Sequence, residues 1–267
     1  MSVIAHCIAI SCYVGAAALA ATPFARPVSA PVRGVVSLLA LGVVAHAFAL
    51  LSVGHALGRV PLTGLGSALS FAGFVLAVAL LVTEAAAREV SLTLVAAPLA
   101  ALATTFGNVI GLRPLAEPAG AKGLWMYAHI ALSFAGIAAF ATAGVAGVMY
   151  LVERRELKSR RFGAVFRFFP PLDTLDRVNH VAAVTAWLGL TLGVVLAIAY
   201  SIAYRPTDAR EVIWGTVAWL TISAVALGRL LGGWEARRAA LVSSVGFAAV
   251  LAMYVVLRAS SSGGQFL

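Results

Sequence analysis

The stretch HIALSFAGIAAFATAGVAGVMYLVERRELK, residues 129–158, decides the class of protein. It contains no charged residue between His129 and Glu153, and a basic run follows at once. A helix needs about 20 mostly apolar residues to cross the hydrocarbon core of a bilayer, so this run is long enough. Its many small residues are typical of contacts between membrane helices. The stretch therefore predicts a transmembrane helix that ends in a basic loop.

The same apolar character extends over the whole chain of 267 residues. Apolar residues make up 62% and charged residues 11%, and the mean hydropathy is +0.99. Soluble domains carry roughly 45–50% apolar and about 25% charged residues. This composition excludes a soluble enzyme and leaves no room for a sizeable extramembrane domain. The net charge of +9 is explained by basic cytoplasmic loops rather than by binding to nucleic acid.

We predict an all-α integral membrane protein, a single polytopic domain over residues 1–267 that forms a bundle of about eight transmembrane helices. Breaks rich in Pro, Gly and Arg separate spans at roughly 3–21, 35–57, 67–86, 92–112, 124–151, 178–203, 212–232 and 238–257. Alternate loops hold 13 and 6 of the 19 Lys and Arg residues, and the richer set is expected in the cytoplasm. Both termini are then expected outside. The first span has no basic segment before it, so we expect it to be retained rather than cleaved as a signal peptide.

His129 is the strongest candidate among the five histidines. Ionisable residues inside a membrane are costly and suggest function. At helical spacing, His129 shares one face with Ser133, Gly136, Phe140, Ala143 and Gly147. Because small residues mark helix–helix contacts in membranes, this face is predicted to point into the bundle. Two interpretations of His129 are equally open. It is either a ligand of haem or a metal ion, or a packed residue that forms a hydrogen bond.

The other histidines divide by predicted depth. His6 and His55 are expected near the outer face, level with His129, whereas His46 is expected in the middle of the membrane. His46 and His55 are nine residues apart, about 180° around the helix and roughly 13 Å along it, so they cannot serve one site. For His6, His46 and His55 a packing role stays open beside a functional one. His180 is interpreted as an interfacial residue at the cytoplasmic end of its span.

Basic and aromatic residues gather at the predicted outer face, among them Arg113, Arg210 and Trp214. An aromatic belt at the membrane interface is one explanation. The other is a haem pocket, with imidazole on the iron, aromatic rings against the porphyrin and guanidinium groups on the propionates. Zinc is less expected, because it takes three or four protein ligands and no close cluster of ligand residues is visible.

Several segments resemble the membrane haem-handling family of cytochrome c assembly proteins (CcsA-like), and within it the short HemX-like branch without a Trp-rich loop. Residues 129–158 resemble the family's histidine-bearing helix and the basic loop after it. The segments PPLDTLDRVNHVAAVTAWLGLTLGVV (170–195) and GWEARRAALVSSVGFAAVLAMYVV (233–256) resemble its later helices. The stretches VAHAFALL and GLGSALSFAGFVLAVALL resemble the N-terminal half of the short branch. The resemblance covers nearly the whole chain.

The resemblance implies that His129 is an axial ligand of a non-covalently bound, b-type haem. The family's Trp-rich loop, which presents haem to a partner, is echoed here only by Asp208, Glu211 and Trp214, and Leu227 stands where the family has a second external histidine. His55 or His6 is the candidate for the second ligand, from depth alone. We name as candidate haem-binding residues His129, His55, His6, His46, Trp214, Arg113 and Arg210.

The predicted function is haem handling in c-type cytochrome assembly at the bacterial plasma membrane, by binding and passing on haem rather than by turning over a substrate. Its predicted partners are haem, membrane lipid and other cytochrome c assembly proteins. The first alternative is a HemX-like regulator of tetrapyrrole synthesis, which would contact a cytoplasmic enzyme of that pathway through the basic, Phe-rich segment 154–169. A small-molecule transporter is the second alternative, although no inverted repeat or matched pair of interrupted helices is visible.

Overall fold

The computed structural model describes residues 2–25, 31–58, 60–62, 64–87, 90–112, 121–160, 169–204 and 209–259. Within these ranges the chain is helical and contains no strand. Eight of the described helices are long and apolar enough to cross a membrane. The predicted class, an all-α membrane bundle, is confirmed, while the orientation of the termini stays a prediction.

The helices follow one another with short connections between them. In chain order they are α1 (Ser2–Ala20), α2 (Thr22–Ala25), α3 (Val32–Leu57), α4 (Leu65–Ala87), α5 (Thr93–Ile110), α6 (Ala121–Ser159), α7 (Leu172–Ala203), α8 (Ala209–Leu230) and α9 (Ala236–Ala259). Glycine ends α3, because Gly58 adopts the left-handed conformation (φ 64°) and its N–H bonds back to the last turn.

Two helices extend beyond the spans predicted for them. Helix α6 continues past residue 151 through the polar sequence ERRELKS, and α7 begins at Leu172 rather than at 178. Glu, Arg, Leu and Lys are strong helix formers, so the polar run prolongs α6 although it is not apolar. Asp173 lies in the first turn of α7, where a negative charge is favourable. Hydropathy alone detects only the apolar part of such helices.

The contacts of the chain define two compact units, and each is described by itself. The first comprises Met1–Ala116 with Arg155–Pro171, and the second comprises Glu117–Arg154 with Leu172–Leu267. The first unit therefore holds α1 to α5, and the second holds most of α6 together with α7, α8 and α9. The prediction of one membrane domain over the whole chain stays a prediction.

In the first unit, α1 packs against α3 and α5, and α4 packs against α3 and α5. Glycine permits the close crossing of α1 and α3, because a Cβ atom on Gly42 would lie 2.6 Å from Cε1 of Tyr13. A Cβ on Gly73 of α4 would likewise lie 2.6 Å from the hydroxyl of Thr104 in α5. Small residues at crossings are the usual means by which membrane helices approach closely.

In the second unit, a buried amide ties three helices together. The side chain of Asn179 in α7 donates hydrogen bonds of 2.7 Å to the carbonyl of Ala143 in α6 and to the hydroxyl of Ser243 in α9. Arg229 of α8 pairs with Asp176 of α7, with a shortest N···O distance of 2.8 Å. Polar groups that find partners inside the protein hold the bundle together where no water is present to bond them.

The contact between Gly42 and Tyr13 predicts a measurable stability difference between two glycine variants. Gly42→Ala should destabilise the protein by about 1–3 kcal/mol, because the new methyl group overlaps the Tyr13 ring. The matched control is Gly215→Ala, since a Cβ on that helical glycine meets no atom within 4 Å. It should be neutral or stabilise by up to about 1 kcal/mol, as alanine favours the helix. Unfolding of both variants in detergent measures the difference, and equal stabilities would contradict the packing described.

Candidate functional site

His129 lies near the start of α6, and its ring is held by the backbone of α7. Nδ1 of His129 is 2.8 Å from the carbonyl oxygen of Gly193. A carbonyl oxygen only accepts, so Nδ1 must carry a proton, and in the neutral ring Nε2 then presents its lone pair. Nε2 makes no hydrogen bond with any residue in the described ranges. The ring is half-buried, so one imidazole nitrogen is oriented and the other is available.

The absence of a side chain at Gly193 makes this contact possible. A Cβ atom there would lie 2.5 Å from the hydroxyl of Ser133, one turn beyond His129 on α6. The neighbouring turn is equally close, because a Cβ on Gly136 would lie 2.8 Å from Cγ of Leu190. The two helices thus approach closely enough for the imidazole to reach a main-chain carbonyl, which has a second lone pair to offer.

The face of α6 predicted from spacing does point into the second unit. Ser133 and Gly136 contact α7, and Phe140 and Ala143 are fully buried in the core of the unit. Gly147 lies against α9, where a Cβ would be 2.5 Å from the hydroxyl of Ser244. The interior orientation predicted for the His129 stripe is therefore confirmed.

Aromatic rings stand beside His129 at the same end of the second unit. Trp125, one turn before His129, donates through Nε1 to the carbonyl of Leu196 at 3.0 Å. Its ring centroid lies 6.2 Å from that of Tyr204, and Tyr204 lies 5.0 Å from Tyr200. These contacts gather three aromatic rings at the end of α7 that lies beyond Gly193, where they offer apolar faces to a ligand.

The remaining candidates in this region take different positions. Trp214 of α8 donates to the carbonyl of Val250 at 3.1 Å, and its ring packs 5.5 Å from Tyr254. Arg210 is exposed in the first turn of α8. Arg113 lies outside the described residues.

His6 and His46 form a buried hydrogen-bond chain in the first unit. Nδ1 of His6 lies 2.9 Å from the carbonyl of Ser2, and Nε2 lies 3.4 Å from the hydroxyl of Ser70. That hydroxyl is 3.1 Å from Nε2 of His46, and Nδ1 of His46 is 3.2 Å from the hydroxyl of Tyr13. The chain connects α1, α3 and α4.

The carbonyl of Ser2 fixes the direction of every proton in this chain when both rings are neutral. His6 must donate from Nδ1, so its Nε2 accepts from Ser70. Ser70 has then used its one proton and accepts from Nε2 of His46, which leaves Nδ1 of His46 to accept from Tyr13. All four ring nitrogens are thereby engaged. The exposed fractions of His6 and His46 are 2% and 0%, so this cluster offers no free nitrogen.

This pairing corrects the depths expected for two histidines. We expected His6 near the outer face and His46 in mid-membrane, yet their ring centroids are 5.4 Å apart. The ends of a span indicate the depth of a residue within its own helix, and they do not reveal how far α1 and α3 are staggered. Tyr13 and Ser70 were missed as partners, although a tyrosine hydroxyl inside an apolar span signals that a partner is needed.

His55 and His180 take part in neither arrangement. His55 is exposed in the last turn of α3 and makes no side-chain hydrogen bond to a described residue. His180 is half-buried, one turn after Asp176 in α7, and its Nδ1 is buried without a hydrogen-bond partner. Across the described ranges, no three His, Cys, Asp or Glu side chains gather in a group that could hold a metal ion.

The fold and this site define a polytopic all-α membrane protein with one oriented, half-buried imidazole. The model of the family described as cytochrome c assembly protein matches residues 8–263. The chain therefore belongs to the cytochrome c assembly protein family.

Individual relatives match parts of the chain. An uncharacterized 28.8 kDa protein of Azospirillum brasilense is 27% identical over 154 residues, 55% of this chain and 53% of that protein. The cytochrome c biogenesis protein CcsA of Synechococcus elongatus is 30% identical over 87 residues, 31% of this chain and 26% of that protein, and CcsA of a second Synechococcus strain matches equally. The chain thus spans about half the length of the first relative and about a quarter of the others. No solved structure matches it.

The histidine chain predicts that two serine variants differ in stability. Ser70→Ala should lower the free energy of unfolding by about 1–2 kcal/mol, because Nε2 of His46 and Nε2 of His6 both lose their partner. Ser223→Ala is the control, since the hydroxyl of Ser223 is buried without a hydrogen-bond partner. Ser223→Ala loses no hydrogen bond, so it should not destabilise the protein by more than about 0.5 kcal/mol. Unfolding in detergent compares the two, and an unchanged Ser70 variant would show that the chain contributes nothing to stability.

Proposed function

We propose that this protein handles haem in c-type cytochrome assembly, binding it non-covalently as a b-type haem and passing it on. Haem is the cargo in this proposal, and its iron accepts the lone pair of an imidazole. The observation that carries it is the hydrogen bond from His129 to Gly193 in a chain that belongs to the cytochrome c assembly family. The CcsA relatives are named as cytochrome c biogenesis proteins, which supports the same role here.

The arrangement of His129 fits the requirements of an iron ligand. A histidine that binds a metal usually donates its other ring N–H to a carbonyl or carboxylate, which fixes the tautomer and the ring orientation. The carbonyl of Gly193 provides that partner, so Nε2 is the nitrogen that would hold the iron. Trp125 and Tyr204 supply apolar faces for the porphyrin, and Arg210 at the same end supplies a guanidinium for a propionate.

We further propose that the protein lies in the plasma membrane of a bacterium with both termini outside, as the distribution of Lys and Arg indicates. Other cytochrome c assembly proteins are its proposed partners. The regulatory alternative would use the segment 154–169, of which residues 161–168 lie outside the described ranges. No contact of the described residues favours it over haem handling.

The proposal predicts that haem binding depends on His129. Purified protein in detergent, titrated with haemin, should show a saturable shift of the Soret band, and His129→Ala should weaken this binding at least tenfold. His180→Ala is the matched control, because His180 lies at the opposite end of α7 and should leave the affinity unchanged. Wild-type protein that shows no saturable shift beyond that of empty micelles would refute haem handling, and an unaffected His129 variant would refute the assigned ligand.

The glycine that receives the His129 hydrogen bond should matter as well. Gly193→Ala should weaken haem binding about 10- to 100-fold, which is the usual effect of disturbing a partner of a metal ligand. The new methyl group would meet the hydroxyl of Ser133 and push α7 away from α6. The double variant Gly193→Ala with Ser133→Ala removes the overlapping hydroxyl and should recover most of the affinity. If the double variant binds haem as weakly as the single variant, the overlap with Ser133 is not the cause of the lost affinity.

A further inference from the structure

We propose that a groove along α8 binds one anionic phospholipid, with an acyl chain between Trp219 and Trp234 and the phosphate at Arg238. The described residues that line the groove all belong to the second unit, and its volume is about 590 Å³. The proposal goes beyond haem handling and does not depend on it, because no residue that we propose to contact haem takes part.

The groove follows one face of α8 over about the thickness of one leaflet. Its lining runs from Trp219 to Leu231 and continues to Trp234. The twelve residues between the first two correspond to roughly 18 Å along the helix axis, and one leaflet contributes about 15 Å to the hydrocarbon core of a bilayer. Leu220 and Leu231 are 54% and 82% exposed. The length and the apolar walls therefore suit a single acyl chain.

Trp234 closes one end of the groove. Gly233 adopts the left-handed conformation after α8 (φ 57°), and the N–H of Trp234 bonds to the carbonyl of Gly228 at 3.0 Å. The indole packs against Gly228, where a Cβ atom would lie 2.5 Å from the ring. Small residues on a membrane helix often receive a second helix. Here the chain's own tryptophan fills that space, which disfavours a second copy as the occupant.

Arg238 places a positive charge at this closed end. Its Cζ atom lies 4.2 Å from the centroid of the Trp234 ring, and this cation–π contact holds the guanidinium beside the groove. Arg237 is also exposed, and the same turn contains one exposed carboxylate, Glu235. A guanidinium that is already held in place is well suited to bind the oxygens of a phosphate. The two arginines favour an anionic headgroup over a neutral one.

Ser223 gives a second, independent indication of a ligand. It lines the groove and is only 6% exposed, and its Oγ is buried without a hydrogen-bond partner among the described residues. An unpaired hydroxyl is costly inside a membrane. Ser223 lies five residues from Gly228, roughly 7.5 Å along the helix axis. The ester carbonyls of a phospholipid lie just beneath its phosphate, so one of them can accept the proton of Ser223 while the phosphate contacts Arg238.

The lining favours a lipid over haem as the occupant. None of the described residues that line the groove is His, Cys, Met or Tyr, and these are the side chains that bind haem iron. The groove offers apolar walls, one hydroxyl and a cationic end instead. An anionic phospholipid matches all three of these features.

The headgroup is tested by titrating the purified protein in detergent with phosphatidylglycerol and, separately, with phosphatidylcholine. Native mass spectrometry counts the lipids bound to each chain. We expect one phosphatidylglycerol per chain, bound about tenfold more tightly than phosphatidylcholine, because two arginines favour the anion. Arg238→Gln should lower the affinity for phosphatidylglycerol about fivefold. Arg33→Gln is the matched control at an exposed arginine of α3 and should leave this affinity within about twofold.

The acyl chain and the hydroxyl are tested by three further variants. Ala224→Trp fills the groove at an exposed lining residue and should weaken the binding of phosphatidylglycerol at least about tenfold, since the chain loses its apolar contacts. Ala248→Trp places the same ring on an exposed alanine of α9 and should change the affinity by less than about twofold. Ser223→Ala should weaken the binding of both lipids about two- to tenfold, because both contain ester carbonyls.

The outcomes separate the lipid from other occupants. Equal affinities for the two lipids, or an Ala224→Trp variant that binds phosphatidylglycerol as wild type does, overturn the proposal. Displacement of the lipid by haemin in both wild type and His129→Ala would make the groove a tetrapyrrole site, and a dimer lost in Ala224→Trp would make a second copy the occupant. Either result overturns the proposal, and an unaffected Ser223→Ala variant overturns the assigned hydrogen bond. Selective binding that is lost in Arg238→Gln and Ala224→Trp and kept in both controls supports it.

Discussion

The hydrogen bond between Nδ1 of His129 and the carbonyl of Gly193 determines what the second unit can do. A glycine on α7 leaves room for it, because a Cβ atom at Gly193 would lie 2.5 Å from the hydroxyl of Ser133 of α6. It requires the two helices to cross closely, which Gly136 permits one turn further on. It also fixes the tautomer of the neutral ring, because Nδ1 carries the proton that the carbonyl accepts and Nε2 keeps its lone pair. The packing of the helices and the chemistry of the imidazole therefore have a common origin.

The first unit uses histidine to tie helices together, with no ring nitrogen left for a ligand. In the low-dielectric interior of a membrane an unpaired polar group is costly. The chain formed by Tyr13, His46, Ser70 and His6 meets that constraint completely, since each proton has one acceptor and the series ends at a carbonyl. A histidine cluster that is fully satisfied ties helices together, whereas a histidine that is half satisfied can accept a ligand. The number of engaged nitrogens, and not the presence of histidine, distinguishes the two.

Periodicity and composition predicted most of the fold and part of the site. Each apolar run became a helix, although polar residues prolong α6 and α7 beyond their predicted spans. The small residues of α6 correctly indicated its inward face. Spacing along one helix cannot reveal which residue of another helix lies opposite, so Gly193 and Leu196 were not foreseen as acceptors. The stagger of α1 against α3 was equally hidden, which is why His6 and His46 were expected at different depths. Local sequence predicts faces, and tertiary packing decides which faces meet.

A histidine that is held by a main-chain carbonyl keeps its orientation without the help of a second side chain. The carbonyl of Gly193 accepts from Nδ1 of His129 at 2.8 Å, so the position of the ring follows from the crossing of α6 and α7. Trp125, one turn before His129, donates to the carbonyl of Leu196 on the same stretch of α7. The main chain of α7 therefore positions both the imidazole and the indole, and the close approach of the two helices that small residues permit is what brings both rings within reach of it.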